Sequence, residues 1–190
     1  ERKQQVLKDD LRDLERVDEV ALISRMVDHL PSLVGSPLSI NSIREDLQVA
    51  HSTVVNWLNI LERLFVIFRI PPFGSPKIRA VKKEMKCYLW DWALVADEGA
   101  RFENFVASQL LKYCHFIENT EGYPMELRYI RDTDKREIDF VVLKDGRPLF
   151  AVECKLNDRE IPSSMYYFAE RLKIPRFYLA HMGEKNYEHA

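Results

Sequence analysis

Apolar positions at helical spacing open the chain. Val6, Leu7, Leu11, Leu14, Val17 and Val20 recur with charges between them. Asp18 stands where an N-cap would start a second helix through Ile23, Met26, Val27 and Leu30, ending near Pro31. The turn Gly35-Ser36-Pro37 leads to an N-cap at Ser39, and Ile43 and Leu47 continue the apolar face. A further helix begins at His51 and carries Val54, Val55, Leu58, Leu61 and Leu64, with Trp57 beside them. The short join Gln48–His51 between two brief helices gives a helix-turn-helix pattern. The run Leu64–Ile70 then reads as a strand closed by Pro71-Pro72. Helices followed by a β-ribbon predict a helical winged-helix domain over residues 1–84.

From there the pattern changes. Cys87–Leu94 reads as a short strand and turn leading to Gly99, and a helix follows with Phe102, Phe105, Val106, Leu110 and Leu111. Glu126–Arg131 has strand composition, and two further strand-like arms, Arg136–Leu143 and Pro148–Lys155, flank the turn signal Lys144-Asp145-Gly146-Arg147. Ser163-Ser164 would cap a helix with Met165, Phe168, Ala169 and Leu172, and Arg176–Ala180 closes as a strand. This order predicts an α/β sheet with helices on its faces over residues 85–190.

The hairpin arms carry charges where buried strands should not: Asp139, Glu153 and Lys155. Strand faces alternate with period two, so the turn length decides which side chains meet. An odd loop places Ile138, Phe140, Val142, Phe150, Val152 and Cys154 on one face and Asp139, Glu153 and Lys155 on the other. Only that register makes the apolar set coherent. A three-residue turn with Gly146 in the left-handed position would supply it.

Composition narrows the classes. The 190 residues are 46% apolar and 31% charged, with a net charge of −2, so any basic footprint must be local. Lys77, Arg79, Lys82, Lys83 and Lys86 against Glu84 make such a patch, an excess of four positive charges able to track DNA phosphates. A solvated edge on a protein-packing module is the other reading of the same lysines. The second helix of the helix-turn-helix offers Ser52, Thr53, Asn56 and Asn59 with Arg63 its one Arg or Lys, too little for reading bases, so the expected contacts are to backbone. Three cysteines, at 87, 114 and 154, show no C-x-x-C spacing, and with His115 the one histidine beside any of them no zinc-ligand spacing is made, which fits reduced cytoplasmic thiols. The longest apolar run, Leu64–Phe68, is far too short for a membrane helix, and no signal-peptide pattern opens the chain. The chain starts with Glu and enters a charged helical pattern at once, as a piece of a longer protein would.

Two converging carboxylates repel and call for a cation. Oxygen ligands suit a hard ion, Mg²⁺ or Mn²⁺, and a lysine two residues past the second carboxylate could orient a water or steady phosphate charge. That chemistry suits phosphodiester hydrolysis. Glu103, by contrast, reads locally as a helix N-terminal carboxylate complementing the dipole. No P-loop motif is present.

Asp139, followed after thirteen residues by Glu153-Cys154-Lys155, resembles the PD-(D/E)XK nuclease signature, with Glu103 where that superfamily often has an acid on its first core helix. The resemblance implies a restriction-endonuclease-like α/β domain in which Asp139, Glu153 and the Cys154 carbonyl hold the metal and Lys155 acts at the attacking water. Ile138 stands where the signature has proline. A wider resemblance covers the whole chain. The winged helix, Tyr88-Leu89-Trp90-Asp91, Gly99–Asn104, Tyr129–Asp132, Arg136–Phe140 and Glu153-Cys154-Lys155 are similar to the C-terminal half of a family of bacterial and archaeal AAA+-type ATPases. It implies an upstream P-loop ATPase domain as the partner of this segment. The expected function is a metal-dependent DNA endonuclease module. The alternative is a non-catalytic DNA- or protein-binding regulatory module that keeps the nuclease fold.

Overall fold

The computed structural model of the chain describes residues 19–74, 84–157, 161–184 and 188. The helix expected over Val6–Val17, the Asp18 cap and the cations Lys77, Arg79, Lys82 and Lys83 lie outside these residues. Helix α1 (residues 19–29) runs into a 3-10 turn, Leu30–Leu33. Helix α2 (Ile40–Leu47) starts where Ser39 Oγ accepts from the Ser42 N–H at 3.2 Å. Helix α3 (His51–Arg63) buries Val54, Trp57, Leu58 and Leu61.

Strand β1 is shorter than the apolar run that encodes it, Ile67–Ile70. Leu64 and Phe65 instead form the turn out of α3, with Phe65 in the left-handed region at φ 56° and both side chains exposed. Strand β2 (Lys86–Leu89) pairs antiparallel with β1, from Ile67 opposite Leu89 to Ile70 opposite Lys86. The strand read as the opening of the second half is therefore hydrogen-bonded to the first.

Asp97 Oδ1 accepts from the Ala100 N–H at 2.8 Å and starts α4 (Glu98–Glu121), which ends at Gly122. A four-stranded mixed sheet follows in the order β3-β4-β5-β6: β3 (Met125–Arg131), β4 (Glu137–Lys144), β5 (Arg147–Lys155) and β6 (Phe177–His181). The first three strands are antiparallel, and β6 lies parallel to β5 after the crossover helix α5 (Ser163–Arg171). Both faces are covered. Ala107, Cys114 and Ile117 of α4 share a core with Leu127, Phe140, Val142, Val152 and Cys154, and this core continues into α1–α3 and the β1–β2 ribbon. Met165 and Phe168 of α5 pack with Ile130, Ile138, Val141, Leu143 and Ala151 on the other face.

The β4–β5 hairpin reaches its register by a different route from the three-residue turn. Asp145 and Gly146, at φ 51° and 70°, form a two-residue turn between paired Lys144 and Arg147. That turn alone gives the even register. A bulge then leaves Leu149 unpaired, and beyond it Val142 faces Phe150 and Phe140 faces Val152, the odd register. A second irregularity lies between β3 and β4. Arg128 faces Val141 and Ile130 faces Ile138, so Tyr129 alone opposes Asp139 and Phe140. This bulge breaks the alternation, and Ile138 joins the α5-side core rather than the Phe140 face on which strict period two places it.

Candidate functional site

The bulge re-aims Asp139. Its Oδ2 accepts from the Cys154 N–H at 2.8 Å, and its own N–H donates to Glu153 Oε2 at 3.4 Å. The two carboxylates are thus tied to each other's strands. Asp139 is 9% exposed and Glu153 5%. Lys155 Nζ lies 2.9 Å from Glu153 Oε1, and its side chain is half-exposed. Burial, then the charges of Glu103 and Glu153, push the Asp139 carboxyl up to about 8. Burial likewise raises Glu153, and the Lys155 ammonium opposes that shift.

Asp132 prepares this strand. It is buried, accepts from the backbone N–H groups of Asp134 and Arg136 at 2.9 Å each, and takes the Arg136 Nε–H at 2.8 Å. The β3–β4 turn is closed by one carboxylate, which fixes where Glu137 and Asp139 emerge.

Glu103 does not act as a simple dipole partner at the start of α4. Its Oε1 accepts from Tyr88 Oη at 2.7 Å and from Lys86 Nζ at 3.0 Å. Lys86 is the main departure from the surface patch read from sequence. It is fully buried, and its ammonium also pairs with Glu137 Oε1 and lies 3.7 Å from Asp139 Oδ1. Burial alone would lower the Lys86 pKa. The carboxylates of Glu103, Asp139 and Glu137 outweigh it and hold the ammonium charged. Glu137 is bridged in turn to Arg131 through Oε2 at 2.6 Å. Lys86 is excluded from DNA by this burial, because a lysine facing three carboxylates cannot also face a phosphate.

Asn104, one residue past Glu103, docks α4 onto β2. Its Oδ1 accepts from the Leu89 N–H at 2.9 Å, and its Nδ2 donates to the Leu89 carbonyl at 2.8 Å. The Trp90 N–H bonds the Val66 carbonyl, so at the next pair Leu89 turns its backbone groups away from β1. Asn104 satisfies both. Gly35, at φ +83°, lies so close to Glu103 that a Cβ there would sit 3.0 Å from Oε2. The helical half therefore meets the cluster at Gly35 and at Lys86.

Asp139, Glu153, Lys155 and Glu103 are brought into one neighbourhood, while Lys86, Tyr88, Glu137, Asn104 and Asp132 are partners that sequence reading missed. One signal for Lys86 and Tyr88 was available: two residues apart on a strand, they share a face, and both reach Glu103. As arranged, the cluster does not fit a divalent ion. Each carboxylate already faces an ammonium, a guanidinium or a backbone N–H, and among the described residues no three His, Cys, Asp or Glu groups are placed to hold a metal. Among the same residues no helix is long and apolar enough to cross a membrane.

Fold and site together define an α/β protein in which a helical half inserts a lysine into a carboxylate cluster on a mixed sheet. The chain belongs to the family described as Domain of unknown function (DUF8612), whose model matches residues 1–99. Residues 98–190 match the model described as Domain of unknown function (DUF4143), a domain often found with AAA ATPases. The chain is also similar to the uncharacterized protein MJ1637 of Methanocaldococcus jannaschii, 24% identical over 190 residues that cover 91% of this chain and 38% of the relative. It spans less than half of that relative's length. No solved structure matches it.

Proposed function

We propose that the chain is a winged-helix and PD-(D/E)XK nuclease-like module for DNA, attached to an AAA+-type ATPase, in a resting state whose carboxylates are neutralised by its own lysines. The observation that carries this reading is the pair of bonds in which the Asp139 carboxylate accepts from the Cys154 N–H and the Asp139 N–H donates to Glu153, with Lys155 on Glu153. It joins the three side chains of the nuclease signature at one point of the sheet. The helix–three strands–helix–strand order and the parallel β6 are the layout expected of that fold. The DUF4143 match supports the ATPase association.

The reading makes Asp139 and Glu153 the groups that would recruit Mg²⁺ or Mn²⁺, and Lys155 the cation nearest a phosphate or an attacking water. The test is cleavage of plasmid and branched DNA with Mg²⁺ or Mn²⁺ by wild type, Asp139→Ala and Lys155→Ala. Cutting by wild type that both variants lose is expected; equal cutting by all three, or none by any, refutes the nuclease.

The buried Lys86 specifically favours a second reading, a non-catalytic DNA- or protein-binding regulatory module. Its test is DNA affinity against salt for the wild type and a variant with Lys82 and Lys83 neutralised. An unchanged salt slope removes the basic segment from DNA contact.

A further inference from the structure

We propose that strand β6, the open edge of the sheet, pairs with the β6 of a second copy of this chain, antiparallel and about a two-fold axis at Tyr178. The pairing goes beyond the nuclease-like reading and does not depend on it.

The two edges of the sheet are treated differently. The far side of β3 is occupied: the Phe73 N–H donates to the Tyr129 carbonyl at 2.7 Å, and the Tyr129 N–H donates to the Pro71 carbonyl at 3.2 Å. Beyond β6, among the described residues, no strand lies. The Ala151 N–H donates to the Arg176 carbonyl at 2.9 Å, so in a parallel ladder Tyr178 and Ala180 supply the next bonds to β5. Phe177 and Leu179 therefore turn their N–H and C=O groups away from β5. Proteins blunt such an edge with lysine, proline, inward charge or a bulge. Phe177–His181 holds no Lys, Pro, Asp or Glu, and its pairing with β5 runs unbroken from Phe177 to His181.

The side chains favour a copy of the same strand as the partner. On the α4 face Tyr113, Phe150 and Tyr178 form a row, with ring centroids 6.1 and 5.5 Å apart. The row ends at the edge on Tyr178, which is 46% exposed. On the opposite face Phe177 and Leu179 pack against the α5-side core. An antiparallel copy with Tyr178 opposite its own mate sets Phe177 opposite the copy's Leu179, and Leu179 opposite its Phe177. These pairs use the outward backbone groups of both chains. Tyr178 meets Tyr178 as the closer, non-hydrogen-bonded pair, and one aromatic row continues into the other. Arg176, just before the strand, falls opposite the copy's Ala180 rather than opposite another Arg176. Apolar residues thus face apolar residues and no like charges meet. Because Leu179 lies beside Glu153, the pairing would set both carboxylate clusters on one continuous sheet.

The experiment is sedimentation velocity of the 190-residue chain from micromolar to millimolar concentration, for wild type and Tyr178→Lys, with oxidative cross-linking of Tyr178→Cys and Tyr123→Cys. The Cα atoms of a non-hydrogen-bonded pair lie about 4.5 Å apart, within the span a disulfide bridges. The native cysteines are buried, and Tyr123, exposed beside the start of β3, is a control away from β6. The wild type is expected to dimerise, and Tyr178→Lys to weaken the dimer at least about tenfold by setting two ammoniums against each other. Tyr178→Cys should form a disulfide-linked dimer and Tyr123→Cys should not. A wild type that stays monomeric throughout overturns the proposal, whether the edge remains open or another segment covers it. So does a dimer that Tyr178→Lys leaves intact, or cross-linking that is equal in, or absent from, the two cysteine variants. If circular dichroism shows that Tyr178→Lys does not fold, the wild-type sedimentation and the cross-linking decide.

Discussion

Asn104→Leu separates hydrogen bonding from packing at the joint between the two halves. Leucine keeps asparagine's four side-chain heavy atoms and its branch at Cγ, so it leaves no void, but it removes both bonds to Leu89. The Leu89 N–H and carbonyl belong to a residue 2% exposed, and neither can turn to β1. Leaving a buried backbone group without a partner costs about 1–3 kcal/mol, so two such groups cost roughly 2–6 kcal/mol together. In a protein of this size each kcal/mol moves the thermal midpoint by about 2–4 °C, so a fall on the order of 10 °C is expected. Asn104→Ala should fall further, since a cavity adds to the same loss. The assay is thermal and urea unfolding followed by circular dichroism, with the urea midpoint giving the free energy. If Asn104→Leu costs less than about 1 kcal/mol while Asn104→Ala costs several, packing holds the joint and the clamp is incidental.

Three further outcomes follow from the same structure. Asp132→Ala removes the acceptor of three hydrogen bonds in the β3–β4 turn and should cost about 1–3 kcal/mol by urea unfolding, the range for leaving buried backbone N–H groups without an acceptor; a cost well under about 1 kcal/mol would show that the turn closes without it. Asp139 titrates near 8 in the fold against about 3.9 unfolded, so the native state binds the proton more tightly. Its contribution to stability is present at acid pH and lost as pH rises toward 8, at up to about 1.4 kcal/mol per pH unit. Asp139→Asn keeps an acceptor for the Cys154 N–H and should flatten that fall; parallel stability–pH curves for the two proteins would refute the assignment. Burial pushes the Cys87 thiol up to about 12 and that of Cys114 up to about 11, and Cys154 is buried too. Ellman's reagent at neutral pH should therefore label the three cysteines only as fast as the protein unfolds, and rapid labelling of any of them would contradict the core packing.

Much of the architecture was legible because it rests on local signals. Ser39 caps its helix as a short polar side chain before an apolar face does, and β3, α5 and β6 fall within a residue or two of their composition signals. The hairpin register was legible for a tertiary reason: only one pairing gathers Phe140, Val142, Phe150, Val152 and Cys154 against α4. How the chain reaches that pairing was not legible. A bulge at Leu149 is invisible to a period-two count, which treats the strand as uniform. The same blindness misplaced Ile138, since the Asp139–Phe140 bulge forms only against Tyr129 of a neighbouring strand. Lys86 was misread for a related reason. A lysine among other lysines looks solvated in one dimension, and the carboxylates that bury it are 17, 51 and 53 residues away along the chain.

Charge bookkeeping shows why that one lysine matters to both halves. Glu103, Glu137, Asp139 and Glu153 bring four formal negative charges, and Lys86, Lys155 and Arg131 bring three positive ones, a residue of one. Lys155 and Arg131 lie on the sheet itself, with Glu137, Asp139 and Glu153. Lys86 alone arrives on a strand bonded to the helical half. Any displacement of the β1–β2 ribbon therefore changes the cluster's balance from four against three to four against two, while displacements within the sheet leave it unchanged. An excess of two buried negative charges is costly, and protonating Asp139, whose pKa is already raised, relieves it.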